Sequence, residues 1–259
     1  MDPDMSPAGQ LAGDRTMSHS HTNPPVLSPG EIRPLLLEAP DGLRLRLCER
    51  PGYQRRRLER FVRILFARHY GARVNDFSPL LFALESGSRL IGVVGVREAT
   101  AGRLFSEHYL DRPAEQIASE HAGVPVARGE LVEVGNLALA QPGQARLVIA
   151  AMTGFLYGAG FRWVLFTAVA PLFNAFRRMG LEPVDLGPAR PERLPGGGRT
   201  WGSYYRQSPR VCLGSIDQGY ARLEPCLAAH PSRVYRLWLE ARVLGMKYHL
   251  NQSTVESMS

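Results

Sequence analysis

A ten-residue apolar pattern with a glycine inside it constrains the fold of this chain more than any other segment. The pattern is Glu130–Leu139, ELVEVGNLAL, and it predicts a strand in which Gly135 marks a bulge or a close backbone approach. A short loop, Gln141–Gln144, leads to a long predicted helix over Ala145–Gly158. The next segment, Arg162–Val169, predicts a buried strand because its apolar run is almost continuous. Strand, helix and strand in this order indicate a mixed α/β domain.

Periodic segments on both sides extend this unit. The further predicted strands are Leu43–Cys48, Leu80–Glu85, Leu90–Arg97, Pro183–Leu186 and Arg210–Ile216, and the further predicted helices are Gln54–Tyr70, Arg112–Ala122 and a segment from Pro171 to Gly180. The order matches the N-acetyltransferase (GNAT) type of fold, with a mixed, mostly antiparallel central sheet flanked by helices in a single domain. In that fold a bulged strand precedes a loop and a helix that receive a pyrophosphate or pantetheine.

The chain divides into three predicted parts. Residues 1–30 are rich in Pro, Ser, Gly and His and predict a disordered leader, 31–216 form the GNAT-like domain, and 217–259 form a helical C-terminal tail. No basic and apolar secretory pattern opens the chain, and the longest apolar run, Trp163–Ala170, is too short to span a bilayer. We therefore expect a cytoplasmic protein without a transmembrane segment.

Charge and cysteine usage narrow the function classes. The formal net charge is +7, which favours anionic partners, but Lys247 is the single lysine and this bias toward arginine is also typical of GC-rich genomes. No nucleic-acid recognition motif accompanies the charge, so we expect no nucleic-acid partner. The three cysteines are widely spaced and odd in number, which predicts reduced thiols and neither a disulfide framework nor a metal site.

Several long stretches of the central block resemble the thermostable hemolysin family. They are RHYGARVNDFSPLLFAL, LFSEHYLDRPAEQ, ELVEVGNLA, GFRWVLFTA, LFNAFRRMGL, and WGSYY followed by PRVCLGSI, and they fall between about Phe61 and Ile216. That family in turn looks like the acyl-homoserine-lactone synthases, which have an acetyltransferase-like fold and carry a Glu-x-x-Arg motif on the bulged strand. Here the motif reads Glu133-Val134-Gly135-Asn136, so the Glu is present and the Arg is replaced by Asn.

The resemblance implies a set of site residues. Glu133 is expected to orient an attacking amine and take its proton, Arg97 to pair with Glu133 or grip a substrate carboxylate, and Asn136 to bind a carbonyl or amide. The positions expected to bind substrate are Asp76, Phe105, Tyr109 and Gly135. From the pattern alone, Glu133 also fits a solvent-facing position on an alternating strand, and Phe105 and Tyr109 also fit the core.

The acyl donor is expected at the end of the bulged strand and at the start of the following helix. The residues implied are Leu137, Ala138, Gly143 and Gln144, where backbone N–H groups at a helix start favour a phosphate or the pantetheine arm. Acetyltransferases usually carry a tyrosine as general acid four residues before the glycine that ends the next helix. Counting back from Gly180 gives Phe176, which has no hydroxyl, so Tyr204 and Tyr205 are the substitutes to consider.

The first predicted helix carries a basic face that suggests a partner. Its members are Arg55, Arg56, Arg57, Arg60 and Arg63. This face is expected to dock an acidic acyl carrier protein, with anionic lipid and an ordinary solvated surface as alternatives.

The leading hypothesis is an N-acyltransferase that moves a fatty acyl group from a thioester, acyl-CoA or acyl carrier protein, to a small-molecule amine, with S-adenosylmethionine and amino acids as candidate acceptors. Two alternatives remain at this stage. A membrane-lytic hemolysin would use the apolar face of Tyr235–Leu244, and a non-catalytic protein would only bind acyl chains.

Overall fold

A computed structural model of the chain describes residues 42–141, 143–229 and 232–256. Seven strands form one sheet in the order β1-β2-β3-β4-β5-β7-β6. The strands are β1 Leu43–Cys48, β2 Leu80–Ser86, β3 Arg89–Glu98, β4 Leu131–Leu139, β5 Trp163–Ala168, β6 Val184–Pro188 and β7 Arg210–Ser215. All neighbours are antiparallel except β4 and β5, which run parallel. The predicted mixed, mostly antiparallel sheet is confirmed, and the predicted leader, 1–30, lies outside the described residues.

Helices cover both faces of this sheet. They are α1 Tyr53–Tyr70, α2 Ala114–Ala122, α3 Ala145–Gly158, α4 Ala170–Arg178, α5 Ile216–Ala228 and α6 Arg233–Glu256. On one face α3, α5 and α6 bury the largest apolar cluster, and on the other face α1 packs over the first strands while α2 packs beside β4 and β7. Across the part of the chain that the structure describes, no helix is both long and apolar enough to cross a membrane.

After Leu58, the buried positions of α1 lie one residue further along the helix than the predicted ones. The spacing of apolar residues in the sequence predicts that Leu58, Phe61, Leu65 and His69 share one face of this helix. Leu58 is buried as expected, but Val62 and Phe66 fill the core and His69 is exposed. The sequence is apolar at both sets of positions, so spacing alone did not choose between them.

The two C-terminal helices are packed tightly on α3. Trp238 is fully buried and stacks on Tyr220 of α5, with ring centroids 4.7 Å apart. Glycines allow the backbones to touch, since a Cβ at Gly158 would lie 2.2 Å from the carbonyl oxygen of Arg242. The apolar face that we predicted within Tyr235–Leu244 therefore lies inside the molecule, where it completes the core.

Candidate active site

A bulge in β4 sits at the centre of the sheet. The register pairs Gly95 with Gly135 and Val93 with Ala138, so β4 carries one more residue than β3 between these pairs. Asn136 lies in this bulge, and its backbone has a φ of 47°. The predicted bulge is present, and Asn136 rather than Gly135 adopts the left-handed conformation.

The parallel pair β4–β5 opens beside this bulge. The two strands are paired from Leu131 and Trp163 up to Val134 and Phe166. Both strands continue beyond that point, where they no longer pair with each other. A gap between the two strands follows, at the level of Asn136 on one side and of the end of β5 on the other.

An apolar cavity of about 320 Å³ lies on the α3 face of the sheet, against this gap. It lies between β4, β5, α3, α4 and the start of α5, and its apolar lining includes Val134, Leu137, Met152, Phe166, Leu172 and Phe176. Phe176 stacks on Phe166 with ring centroids 4.9 Å apart. Helix α4 has no buried residue, and its apolar side chains Leu172 and Phe176 are partly buried where they line the cavity and pack against the core.

Glu133 points to the opposite face of the sheet from the cavity. It is 4% exposed, and its two carboxylate oxygens accept hydrogen bonds from the backbone N–H groups of Phe105 (2.8 Å) and Ser106 (2.7 Å) and from the Ser106 hydroxyl. Burial raises the pKa of Glu133, while these hydrogen bonds and the charge of Arg97 oppose the rise. The solvent-facing alternative for Glu133 is therefore wrong.

Arg97 and Asp76 form an ion pair at the surface beside Glu133. Arg97 is the cross-strand neighbour of Glu133, but its guanidinium donates to the Asp76 carboxylate at 3.2 Å. Asp76 keeps 63% of its side chain exposed and Arg97 keeps 25%. The expected direct pairing of Arg97 with Glu133 is replaced by this pair, which can meet a charged ligand from solvent.

Asn136 fixes the loop that carries Asp76. Its side-chain oxygen accepts from the backbone N–H of Ser78 at 2.8 Å and from the Ser78 hydroxyl at 3.1 Å, and its amide donates to the carbonyl of Asp76 at 3.1 Å. The loop comes so close to β3 that a Cβ at Gly95 would lie 2.7 Å from the Ser78 hydroxyl oxygen. The Asn136 side chain is thus occupied by the protein itself.

Aromatic side chains surround the same face beyond Glu133. Phe105 lies 5.6 Å from Trp201 between ring centroids, and Trp201 lies 5.5 Å from Tyr204. The Tyr204 hydroxyl donates to the Thr167 hydroxyl at 3.4 Å, and Thr167 also lines the cavity on the other side of the gap. Burial raises the pKa of Tyr204 to about 12, so its hydroxyl keeps its proton at neutral pH.

Tyr109 and Tyr205 form a separate pair. Their hydroxyl oxygens are 2.6 Å apart, and burial raises the pKa of Tyr109 far above its usual value. Tyr109 packs in the core cluster next to β4 and β7, where Leu131 and Val211 also lie. Tyr109 therefore fits its core alternative, while Phe105 stands between the core and the site.

The four predicted donor-binding residues do not share one environment. Leu137 lines the cavity, whereas the side chain of Ala138 is buried on the α1 face. Gly143 is exposed with a φ of 87°, and Gln144 stands at the start of α3, where its side-chain oxygen accepts from the N–H of Gln141 at 3.1 Å.

Two serines that hold side chains of the site in place were not predicted from the sequence. Ser78 and Ser106 are both almost completely buried, and they bind Asn136 and Glu133 respectively. A buried serine has no sequence signature of its own, because serine is common in exposed turns. Each lies within a stretch that carries the family resemblance, and that was the available signal.

The basic face of α1 is only partly open to a partner. Arg55 donates to the carbonyl oxygens of Ser78 and Pro79, and Arg57 pairs with Glu85. Arg56 and Arg60 are exposed. The predicted docking set of Arg55, Arg56, Arg57 and Arg60 thus reduces to its two exposed members.

A mostly antiparallel sheet with one parallel central pair, a bulge in β4 and an apolar cavity beside the β4–β5 gap defines a GNAT-like domain. Residues 49–220 match the family model described as Thermostable hemolysin, and the chain belongs to that family. A comparison with curated proteins finds no match.

The solved structures to which this chain is similar include acyl synthases. One is FeeM, described as an N-acyl amino acid synthase from uncultured soil microbes, with 14% identity, a TM-score of 0.46, and coverage of 70% of this chain and 95% of that one. Another is the AHL synthase LasI, at 11% identity and a TM-score of 0.49, covering 71% and 96%. A third is BjaI, a CoA-dependent acyl-homoserine lactone synthase solved with SAM and isopentyl-CoA. It shares 14% sequence identity with this chain at a TM-score of 0.48, and the match covers 76% of this chain and 99% of that one.

Proposed function

We propose that this protein is an N-acyltransferase that moves a fatty acyl group from a thioester to an amine. The observation that carries the proposal is the position of the apolar cavity, which opens against the gap between β4 and β5 beside the β4 bulge. A thioester at that gap has room for its chain on one face of the sheet and meets polar groups on the other.

The acyl chain occupies the cavity under α4 in this proposal. Burial of apolar chain contributes roughly 0.8 kcal/mol for each methylene, so a medium-length chain gains several kcal/mol there. The cavity is lined mainly by aliphatic and aromatic side chains, and Leu172 and Phe176 on α4 form one of its walls. A site prepared for a flexible apolar ligand has this character.

The bulge supplies hydrogen-bond donors for the thioester carbonyl. The register gives neither Asn136 nor Leu137 a Cα partner on β3, and in this proposal backbone N–H groups of the bulge donate to the thioester carbonyl. Donors held in place stabilise the negative charge that develops on a carbonyl oxygen under attack. In the reaction the bound ammonium group first releases one proton to water, and the free amine nitrogen then bonds to the carbonyl carbon. The carbon–sulfur bond breaks, and a second proton from the nitrogen passes to the departing thiolate.

The amine acceptor binds on the Glu133 side of the sheet. Asp76 offers an exposed carboxylate for an ammonium group, and Arg97 offers a guanidinium for a carboxylate on the same ligand. Both are within reach of an amino acid or of S-adenosylmethionine, which carry the two charges on one carbon. Phe105 and Trp201 contribute aromatic surface next to this pair.

Glu133 acts as a positioning residue in this account. Both of its carboxylate oxygens are engaged by residues 105–106, and it is buried, so it fixes the loop that presents Phe105 to the acceptor. The donor thioester approaches along the loop that contains Gly143 at the start of α3, and it is carried by coenzyme A or by an acyl carrier protein docked near Arg56 and Arg60.

The proposal is tested by incubating the purified full chain with a medium-chain acyl-coenzyme A, or with the matching acyl carrier protein, and a pool of amino acids and S-adenosylmethionine. We expect release of free thiol together with an acyl amide detected by mass spectrometry. Arg97→Gln should lower turnover and Arg44→Gln, an exposed arginine on β1, should leave turnover unchanged. Thiol release without an amide, or no consumption of either thioester, contradicts the proposal.

A non-catalytic acyl-binding protein is the second candidate, and the Asn136 side chain favours it. That side chain is occupied by Ser78 and Asp76, and the general-acid position carries Phe176. Such a protein binds the acyl thioester in the same cavity and produces no amide in the same assay.

The structure gives the membrane-lytic hypothesis less support, because Trp238 and its apolar neighbours are buried against α3 and α5. We expect the purified chain to release no dye from phospholipid vesicles. Dye release by the pure protein would support the lytic hypothesis.

A further inference from the structure

Helix α6 carries a second apolar stripe on the side that faces solvent. Val243, Met246 and Leu250 are 47%, 49% and 65% exposed. Their spacing of three and four residues places them on one line along the helix, over about 10 Å. Large apolar residues exposed elsewhere in the described chain, such as Ile64 and Val124, do not form such a line.

This stripe lies opposite the face with which α6 joins the core. Leu237, Trp238 and Ala241 fill the inner face, and turning half-way round the helix from them leads to Val243 and Leu250. A surface helix usually presents a polar stripe there. Three aliphatic side chains in line on the outer face therefore indicate a binding surface, whereas single exposed apolar residues do not.

Basic side chains accompany the stripe. Arg236 and Lys247 are exposed and lie within the same outward half of the helix, and the chain as a whole carries a net charge of +7. Arg242 lies on the other flank, where its guanidinium sits over the ring of Tyr220. One exposed acid, Glu240, stands among them, so the charge of this surface is positive overall.

We propose that the outer face of α6, which comprises Val243, Met246, Leu250, Arg236 and Lys247, docks the protein on an anionic lipid surface. Aliphatic side chains in a line enter the boundary between headgroups and acyl chains, and cations at their flanks meet lipid phosphates. The inner face keeps its place in the core, so docking leaves the fold unchanged. This proposal goes beyond acyl transfer and does not depend on it.

A second copy of the chain fits this surface less well than a lipid surface does. A symmetric pairing of two α6 helices about the middle of the stripe brings the two Lys247 side chains together, which is unfavourable. Three aliphatic side chains are also few beside the 20–30 residues that each partner contributes to a standard protein interface. A lipid surface needs neither symmetry nor a large matching area.

The test is vesicle sedimentation with the full chain. One set of vesicles consists of phosphatidylcholine alone, and in a second set about one lipid in three is phosphatidylglycerol. We expect binding to the second set that weakens with salt, and weaker binding to the first. The variant V243Q/M246Q/L250Q should bind the anionic vesicles at least about tenfold less tightly, and Lys247→Glu should weaken binding as well.

The matched control changes two apolar residues of similar exposure elsewhere, Ile64→Gln and Val124→Gln, and should bind like the parent chain. Circular dichroism should show the same helix content and melting temperature for all variants, since the altered side chains are exposed. Light scattering tests the alternative occupant of this surface, which is a second copy of the chain. A dimer that the triple glutamine variant converts to a monomer, equal binding by triple variant and control, or no binding of the full chain to anionic vesicles overturns the proposal.

Discussion

The Glu133 carboxylate and Ser106 are joined by two hydrogen bonds, one from the backbone N–H and one from the hydroxyl of Ser106. Together with the N–H of Phe105, these bonds tie the short turn Phe105–Tyr109 to the central strand β4. Glu133, which stands at the position of the acid in the synthases' Glu-x-x-Arg motif, thus anchors the turn that carries Phe105.

From this contact we predict that Glu133→Gln lowers stability as well as activity. A glutamine places an N–H₂ group against one of the two backbone donors, and a buried donor left without an acceptor costs about 1–3 kcal/mol. Thermal melting and turnover should both fall. The control is Glu130→Gln, since Glu130 accepts from Ala127 near the surface and should matter much less. A stable but inactive Glu133→Gln protein would instead favour a role as base.

The cavity predicts how chain length is selected. Phe176→Ala removes a ring that closes the cavity and should shift the preferred acyl donor toward longer chains, by about fourfold in affinity for each methylene newly accommodated. Phe173→Ala changes the same residue type on the same helix at a position outside the cavity lining, and it should leave the preference unchanged. Turnover with a series of acyl thioesters measures both, and equal profiles for the two variants contradict this placement of the chain.

Much of the fold could be predicted from the sequence because its signals are local. β1 and α3 end at the predicted residues, and the other predicted elements differ from the observed ones by a few residues. Alternation, apolar runs and turn glycines are sufficient for such predictions. The strand order, with β7 between β5 and β6, depends on contacts between distant segments.

The site was less accessible to prediction. The resemblance to the synthases suggested Glu133, Arg97, Asp76 and Asn136 as site residues, but it did not show which of these groups bind one another. Arg97 donates to Asp76, whereas Glu133 accepts its hydrogen bonds from residues 105–106. The cavity has no sequence signature either, since Phe166 and Phe176 look like core residues until their packing is known.

Arginine substitutions on α1 distinguish residues that dock an acyl carrier protein from residues that stabilise the fold. We predict that R56E/R60E raises the KM for acyl carrier protein and weakens its dependence on salt, with the melting temperature unchanged, because both residues are exposed. Arg55→Ala should instead lower the melting temperature, because Arg55 holds two backbone carbonyls. Unchanged kinetics in R56E/R60E at low salt mean that this face is an ordinary solvated surface.

A buried ion pair outside the site predicts the response to acid. Burial favours protonation of Glu107, but hydrogen bonds from Arg128 and from two backbone N–H groups outweigh it and lower the pKa to about 2. A lowered pKa in the folded state gives stability that is present above the ordinary value near 4.5 and is lost as the pH falls toward 2.

Glu107→Gln should therefore melt at a lower temperature than the parent chain at neutral pH, and the difference should shrink between pH 4.5 and 2. Glu120→Gln is the control, since Glu120 pairs with Arg112 at the surface and should change the melting temperature little. A difference that stays constant with pH contradicts the assigned charge on Glu107.

The central claim, that a fatty acyl chain lies in the cavity between β4, β5, α3 and α4, is tested most directly by photochemical cross-linking. The full chain is irradiated with an acyl-coenzyme A that carries a diazirine at the end of its chain, and the labelled peptides are identified by mass spectrometry. Our account predicts labels within Ala145–Gly158 and Ala170–Arg178 that disappear when unlabelled acyl-coenzyme A is added in excess. Labels scattered over the surface, or labels that the excess does not reduce, would contradict it.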